Sequence, residues 1–212
     1  AKEKELSGYQ NIEKDKSMLE SFLALEFSEL SILASKLSHS RQKEAKNLEN
    51  RLASYLKQLK LPALSFEFTS TALDQHGTDT LEVMLGGSKT ATLSGGEFNR
   101  VRLALMAVTM PDEGSRQGVL ILDEIDANVS GDESIAIAEM IYKLSSAYQI
   151  FAISHQPHLS AKAQQHIVVT KTGLKSQAEV LNDVTRVSEI ARIIAGENPT
   201  EEAVEFAKKL RA

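Results

Sequence analysis

The run Val119-Leu120-Ile121-Leu122 passes without a break into two acids, Asp123-Glu124. A strand that is apolar at every position has both faces covered, which places it at the centre of a parallel sheet. Charge at its carboxyl end then falls where open α/β sheets bind their ligands. The segments that follow fit the same frame. Residues 132–146 carry Ile135, Ala138, Ile141, Tyr142 and Leu144 as the apolar side of a helix, and Gln149 to Ile153 reads as the next strand, closed by Ser154-His155. Strand, helix and strand make one βαβ unit, with the His155 strand beside the Asp123 strand. The fold class is α/β.

Upstream, Thr92-Leu93-Ser94-Gly95-Gly96-Glu97 reads as a tight turn opening a helix that continues to Val108, with Val101, Leu105 and Val108 on one face. Backbone N–H groups of Ser94, Gly95 and Gly96 at a helix start, together with the helix dipole, can cradle an anion such as phosphate. Glu97 opposes an anion unless it turns back to cap the helix. Arg100 and Arg102, one turn further, read as surface ion-pair residues.

Asp123 and Glu124 are neighbours at a strand end and point in different directions. Asp123 is the candidate Mg²⁺ ligand, and Glu124 the candidate group for orienting a water against a phosphate. The loop Asp126-Ala127-Asn128-Val129-Ser130-Gly131 is built of small and polar residues that suit a tight crossing at an interface. His155, level with Glu124 on the neighbouring strand, can reach the same phosphate. His39, His76, His158 and His166 read as structural or surface residues.

A phosphate-gripping loop needs Gly-x-x-x-x-Gly-Lys-Ser/Thr. The nearest stretch, Leu85-Gly86-Gly87-Ser88-Lys89-Thr90, has a Ser between Gly87 and Lys89 and no Gly at the upstream position, so Lys89 reads as a solvated loop lysine. The chain carries residues that act on a phosphate without those that grip it, and it reads as a fragment of a longer protein.

From Met18 to Leu59 apolar residues recur at three- and four-residue steps (Leu19, Phe22, Leu23, Phe27, Leu30, Leu33, Leu37, then Ala45, Leu48, Leu52, Leu56, Leu59) with no Pro or Gly between them. That is a long amphipathic helix, or a helix pair with a break at Ser38-His39-Ser40-Arg41, and its narrow seam favours coiled coil. Pro62 ends it. Ser65 to Thr69 and Thr80 to Met84 alternate as a hairpin, and Ile167 to Thr170 with Ala178 to Leu181 form another around Gly173. Two helices close the chain, Val187 to Ala195 and one opening at Asn198-Pro199-Thr200-Glu201. The expected division is 1–60, helical, and 61–212, α/β.

With 212 residues and 42% hydrophobic content the chain can bury a core, but only 5% is aromatic, so that core is aliphatic. The absence of Cys excludes disulfides and thiolate metal sites and fits a reducing cytoplasm. No apolar run approaches the ~20 residues that span a bilayer, and Ala1-Lys2-Glu3-Lys4 has no apolar leader core. A net charge of −5 gives no electrostatic argument for nucleic-acid binding.

Taken together, Ser94-Gly95-Gly96-Glu97 with Arg100, Leu122-Asp123-Glu124-Ile125-Asp126 continuing to Val129-Ser130-Gly131, and Ile153-Ser154-His155-Gln156-Pro157 resemble the SMC-like branch of the ABC ATPases, and within it bacterial repair proteins for DNA double-strand breaks. Gly77-Thr78-Asp79 with Glu82 and the tail Ile190-Ala191-Arg192 to Gly196 fit the same family. The resemblance covers roughly residues 40 to 212. It implies the C-terminal lobe of an ATPase head, in a parent protein with a phosphate-binding lobe first, a coiled coil in the middle and this segment last. It implies ATP and Mg²⁺ as cofactors, Glu124 and His155 as catalytic residues and Asp123 at the metal. Ser94, Gly95, Gly96, Glu97, Asn128 and Ser130 would lie at the nucleotide. The implied partners are the protein's own N-terminal lobe, a second head in an ATP-dependent homodimer, and DNA, with no membrane. Two alternatives stay open at this point: a non-catalytic dimerisation scaffold, and an ABC transporter nucleotide-binding subunit.

Overall fold

The computed structural model describes residues 2–110, 118–129 and 131–211. It divides into two compact units, Ala1–Leu48 with Ser65–Val83, and Glu49–Leu64 with Met84–Ala212.

Helix α1 (Lys2–Gln58) is one uninterrupted helix, so Ser38 to Arg41 is not a turn. Nothing in its sequence breaks the backbone, and those polar residues have another use. In the first unit α1 is joined by most of the hairpin β1 (Leu64–Asp74) and β2 (Gly77–Leu85), whose two-residue turn is Gln75-His76. Arg41 donates to the His76 carbonyl and to Asp79 Oδ1, both at 2.8 Å. The Ser38 hydroxyl and then Arg41 hold the Asp79 carboxyl below the usual carboxylate range. The apolar stripe fades at Ser38 because a polar hairpin turn sits there. Gly77, at φ +112°, closes that turn where a Cβ would meet Arg41 Nη1 at 3.4 Å. Along the rest of this stretch Leu19, Phe22, Leu23, Phe27, Leu30, Leu33 and Leu37 are exposed.

The second unit starts with the last turns of α1, where Leu52, Leu56 and Leu59 are buried completely. After β2 come a two-residue strand β3 (Ser88–Lys89), antiparallel to it, and a single 3₁₀ turn at Thr90–Thr92. Lys89 is therefore paired with Met84 in a sheet rather than standing in a loop. Helix α2 (Gly95–Val108) follows; it buries Val101 and Val108 as expected, but also Leu103, Ala104 and Ala107, and it leaves Leu105 partly exposed.

Strand β4 (Val119–Asp123), helix α3 (Asp132–Leu144) and strand β5 (Gln149–Ile153) form the expected βαβ unit, with β4 and β5 parallel and Asp123 opposite Ile153. Helix α3 buries Ala136, Ile137, Ala138, Met140, Ile141 and Leu144, whereas Ile135 is partly and Tyr142 more fully exposed, so its inner face is rotated from the one expected.

A short helix α4 (Pro157–Lys162) follows β5 after Ser154, His155 and Gln156. Pro157 is at its first position, where a missing N–H costs nothing, so it opens a helix rather than ending the strand, which has already stopped at Ile153. The hairpin β6 (Ile167–Thr172) and β7 (Lys175–Val180) leads to α5 (Asp183–Ala195) and α6 (Glu201–Arg211). Helix α5 begins earlier than Val187 because Asn182 caps it, accepting from the amides of Val184 and Thr185. Helix α6 begins later than Asn198-Pro199, with Thr200 Oγ1 accepting from Ala203 N. Ala161, Ile190, Ala191 and Ala207 form a small core joining α4, α5 and α6.

Candidate phosphate-facing site

Ser94 caps α2 in a reciprocal box. Its hydroxyl accepts from Glu97 N at 3.2 Å, and the Glu97 carboxylate accepts from Ser94 N and Ser94 Oγ, both at 2.9 Å. These bonds, the backbone one foremost, hold the Glu97 carboxyl below the usual range. Its charge is spent on the cap. The amides of Gly95 and Gly96 lie in the first turn, where helix geometry supplies no acceptor. Gly95 is exposed with nothing within 4 Å of where a Cβ would stand.

Gly96 is buried, and a Cβ there would come within 2.9 Å of Val129 Cγ1 and 3.5 Å of the Asn128 carbonyl oxygen. The turn before α2 therefore sits directly on the loop that follows Asp123-Glu124. Asp123 and Glu124 are both exposed at the end of β4. Glu124 has φ +47°, an uncommon backbone for a residue other than glycine, and its N–H donates to the Ile153 carbonyl at 3.1 Å. Asn128, also at positive φ, is exposed; Ser130 lies outside the described residues. His155, two residues beyond Ile153, is exposed. Ser94 to Gly96, Asp123-Glu124-Asn128 and His155 thus belong to three segments of the second unit that meet around Gly96, Val129 and Ile153.

Among the described residues no group of three or more acids and histidines is gathered so as to hold a metal ion alone. Asp123 offers one carboxylate, which matches the way Mg²⁺ is commonly held, by one or two carboxylates with substrate phosphates and water completing the shell.

Two features were not expected from the sequence. Arg100 is 5% exposed, not a surface residue. It donates to the carbonyls of Gly96, Leu59 and Lys60 (3.3, 3.1 and 3.4 Å) and pairs with Glu133 at 2.8 Å. It joins the end of α1, the start of α2 and the start of α3. Arg102, by contrast, is exposed as expected. The second feature is the state of the parallel sheet. Register places Val119, Ile121, Phe151 and Ile153 on one face, and they are 57, 73, 48 and 58% exposed, while Leu122 on the other is buried. A central strand of a parallel sheet is covered on both sides; here one side is bare.

No family model matches the chain. It is 41% identical over 181 residues to the DNA repair protein RecN of Helicobacter pylori, covering 85% of this chain and 34% of that protein. RecN of Rickettsia conorii is 36% identical over 84% of this chain. RecN of Deinococcus radiodurans is 30% identical over 98% of this chain and 38% of its own length. The chain thus spans about a third of the length of the curated relatives it matches. Among solved structures, the Smc head domain with coiled coil and joint from Pyrococcus yayanosii superposes with a TM-score of 0.54 at 20% identity, over 89% of this chain and 36% of that one. A structure from work on ATP-driven dimerisation and DNA-stimulated activation of SMC ATPases gives 0.51 at 17% identity, over 76% and 99%. The fold is that of an SMC-type ATPase head, and over the segment it spans this chain belongs to the RecN family of DNA repair proteins.

Proposed function

We propose that this chain is the C-terminal lobe (61–212) and adjoining coiled-coil helix (1–60) of a RecN-type ATPase of the bacterial cytoplasm, which hydrolyses ATP while acting in double-strand-break repair and recombination on DNA. The observation that carries the reading is the seat of Gly96 on Val129. It holds a helix N-terminus with two available amides against the loop of the Asp123-Glu124 strand end, so N–H donors for an anion and two carboxylates share one neighbourhood. When bound, Mg²⁺ would neutralise phosphate charge. Asp123 would hold it, Glu124 would orient and polarise the attacking water, and His155 would reach the same phosphate. Ser94, Gly95 and Gly96, with Glu97 keeping the turn closed, would face the phosphate held by a second head, and Asn128 and Ser130 would border the joint between the heads.

The bare face of Val119, Ile121, Phe151 and Ile153 supports the parent protein's own N-terminal lobe as the partner that completes the sheet. The exposed stripe of α1 supports a coiled-coil mate. That long helix ahead of Ser94-Gly95-Gly96-Glu97 also disfavours the transporter reading. Titration with labelled ATP and Mg²⁺ tests the division of labour. This chain alone should bind ATP weakly and not turn it over, whereas the full-length protein should do both. Micromolar binding or steady turnover by the chain alone would sink the reading.

A further inference from the structure

Asp126 is 1% exposed, more deeply buried than either of the acids that precede it. A carboxylate out of water needs partners. Its Oδ2 accepts from Ser154 Oγ at 2.5 Å, and its Oδ1, also buried, meets no donor among the described residues. The same Ser154 oxygen accepts from Gln156 N at 2.9 Å. Gln156 in turn reaches the Val129 carbonyl through Nε2 at 3.4 Å, and its Oε1 takes a long bond of 3.5 Å from Ser134 Oγ. Ser154 and Gln156 flank His155; Asp126 is two residues from Glu124. With the Glu124 N–H to Ile153 carbonyl bond, these contacts stitch the segment after β4 to the segment after β5 on both sides of the exposed pair.

We propose that Asp126 and Ser154 are positioning residues that set the distance and orientation of His155 relative to Glu124. The proposal rests on the ATPase reading of those two residues. The β5 ladder alone cannot fix His155, because register ends at Ile153 and His155 beyond it is exposed. The part-buried Ser154–Asp126 bond supplies the missing constraint at the one residue between the last ladder pair and His155. Through Gln156 and Val129 it extends to the residue on which Gly96 rests, so the three site segments share one support. Groups that must hold reacting atoms within a fraction of an ångström need such second anchors, since a ~1 Å misplacement costs on the order of 10²-fold in rate.

The test is run on the full-length protein with Ser154→Ala and Ser154→Thr, the latter keeping the hydroxyl. Ser154→Ala should lower kcat for ATP by about 10- to 100-fold with KM changed less than about threefold, and should speed amide exchange at Gln156 at least about tenfold. Ser154→Thr should restore both. Wild-type kcat with an unchanged Gln156 exchange rate in Ser154→Ala would overturn the proposal. So would a Thr variant as impaired as the Ala variant. Glu124→Gln run in parallel judges the ATPase reading separately. If it hydrolyses ATP normally, that reading fails, and the Gln156 exchange rate alone decides whether the clamp holds the loop.

Discussion

A β-carbon on Gly96 would stand 2.9 Å from Val129 Cγ1, closer than side-chain carbons pack. Val129 is β-branched and 6% exposed, so it cannot swing aside cheaply. Gly96→Ala should therefore destabilise the fold by about 1–3 kcal/mol despite the better helix propensity of Ala. Gly95→Ala, with open space around it, should leave stability unchanged or raise it slightly. Urea unfolding of both variants and of Gly96→Ala with Val129→Ala checks this; the double variant should recover most of the loss.

Removing Arg100 strips Leu59, Lys60 and Gly96 of a shared donor and breaks a pair with Glu133. Arg100→Met is expected to cost roughly 3 kcal/mol, near the low end for breaking a buried pair because Glu133 keeps access to water. Arg100→Lys should fall between, since one ammonium cannot span those acceptors as the guanidinium fork does. Chemical denaturation midpoints give the order.

Acid should act on the α2 cap. The Glu97 carboxyl sits below its ordinary value of 4.5 in the folded chain. Its contribution is present above that pH and lost as pH falls through the lower, folded value. Unfolding midpoints of Glu97→Gln and the unchanged chain should differ at neutral pH and converge as pH falls through the folded value. A constant gap across that range would show that the carboxylate charge is not what closes the cap.

In the full-length protein Glu124→Gln should retain ATP binding and lose about 10²–10⁴ in hydrolysis rate, the range for removing a general base, and should accumulate a closed dimer. Asp123→Asn should weaken Mg²⁺ retention instead, with partial rescue by excess Mg²⁺. Single-turnover hydrolysis at several Mg²⁺ concentrations separates the two roles.

Ser94→Arg should leave nucleotide binding by the full-length protein intact while blocking ATP-dependent dimerisation, because a long cation would fill the space in front of the Gly95 and Gly96 amides. Sedimentation velocity with and without ATP reads the outcome. Dimerisation at wild-type strength would mean that the turn does not face a second head.

Much of this was legible along the chain because the signals were local. The Ser94–Glu97 box, the apolar run into Asp123 and the strand ending at Ile153 each declare themselves within six residues. What the sequence hid was mostly contact at long range. Arg100 looks like any helix-surface arginine until Leu59 and Lys60, some forty positions earlier, present their carbonyls to it. Asp126 looked like one small polar loop residue among others, and only the pairing of β4 with β5 brings Ser154 to it. The rotated face of α3 has a similar cause: Ile135 and Tyr142 satisfy the helical period, but neighbouring elements decide which side is covered.

The bare face of β4 and β5 has a consequence for handling the molecule. Val119, Ile121, Phe151 and Ile153 make a sticky apolar surface on a sheet that is two-stranded among the described residues, a template onto which another copy can add its own strands. Produced by itself, the chain is at risk of precipitation and of mispaired oligomers at high concentration. Its solubility then depends on whether that surface is covered as soon as it folds.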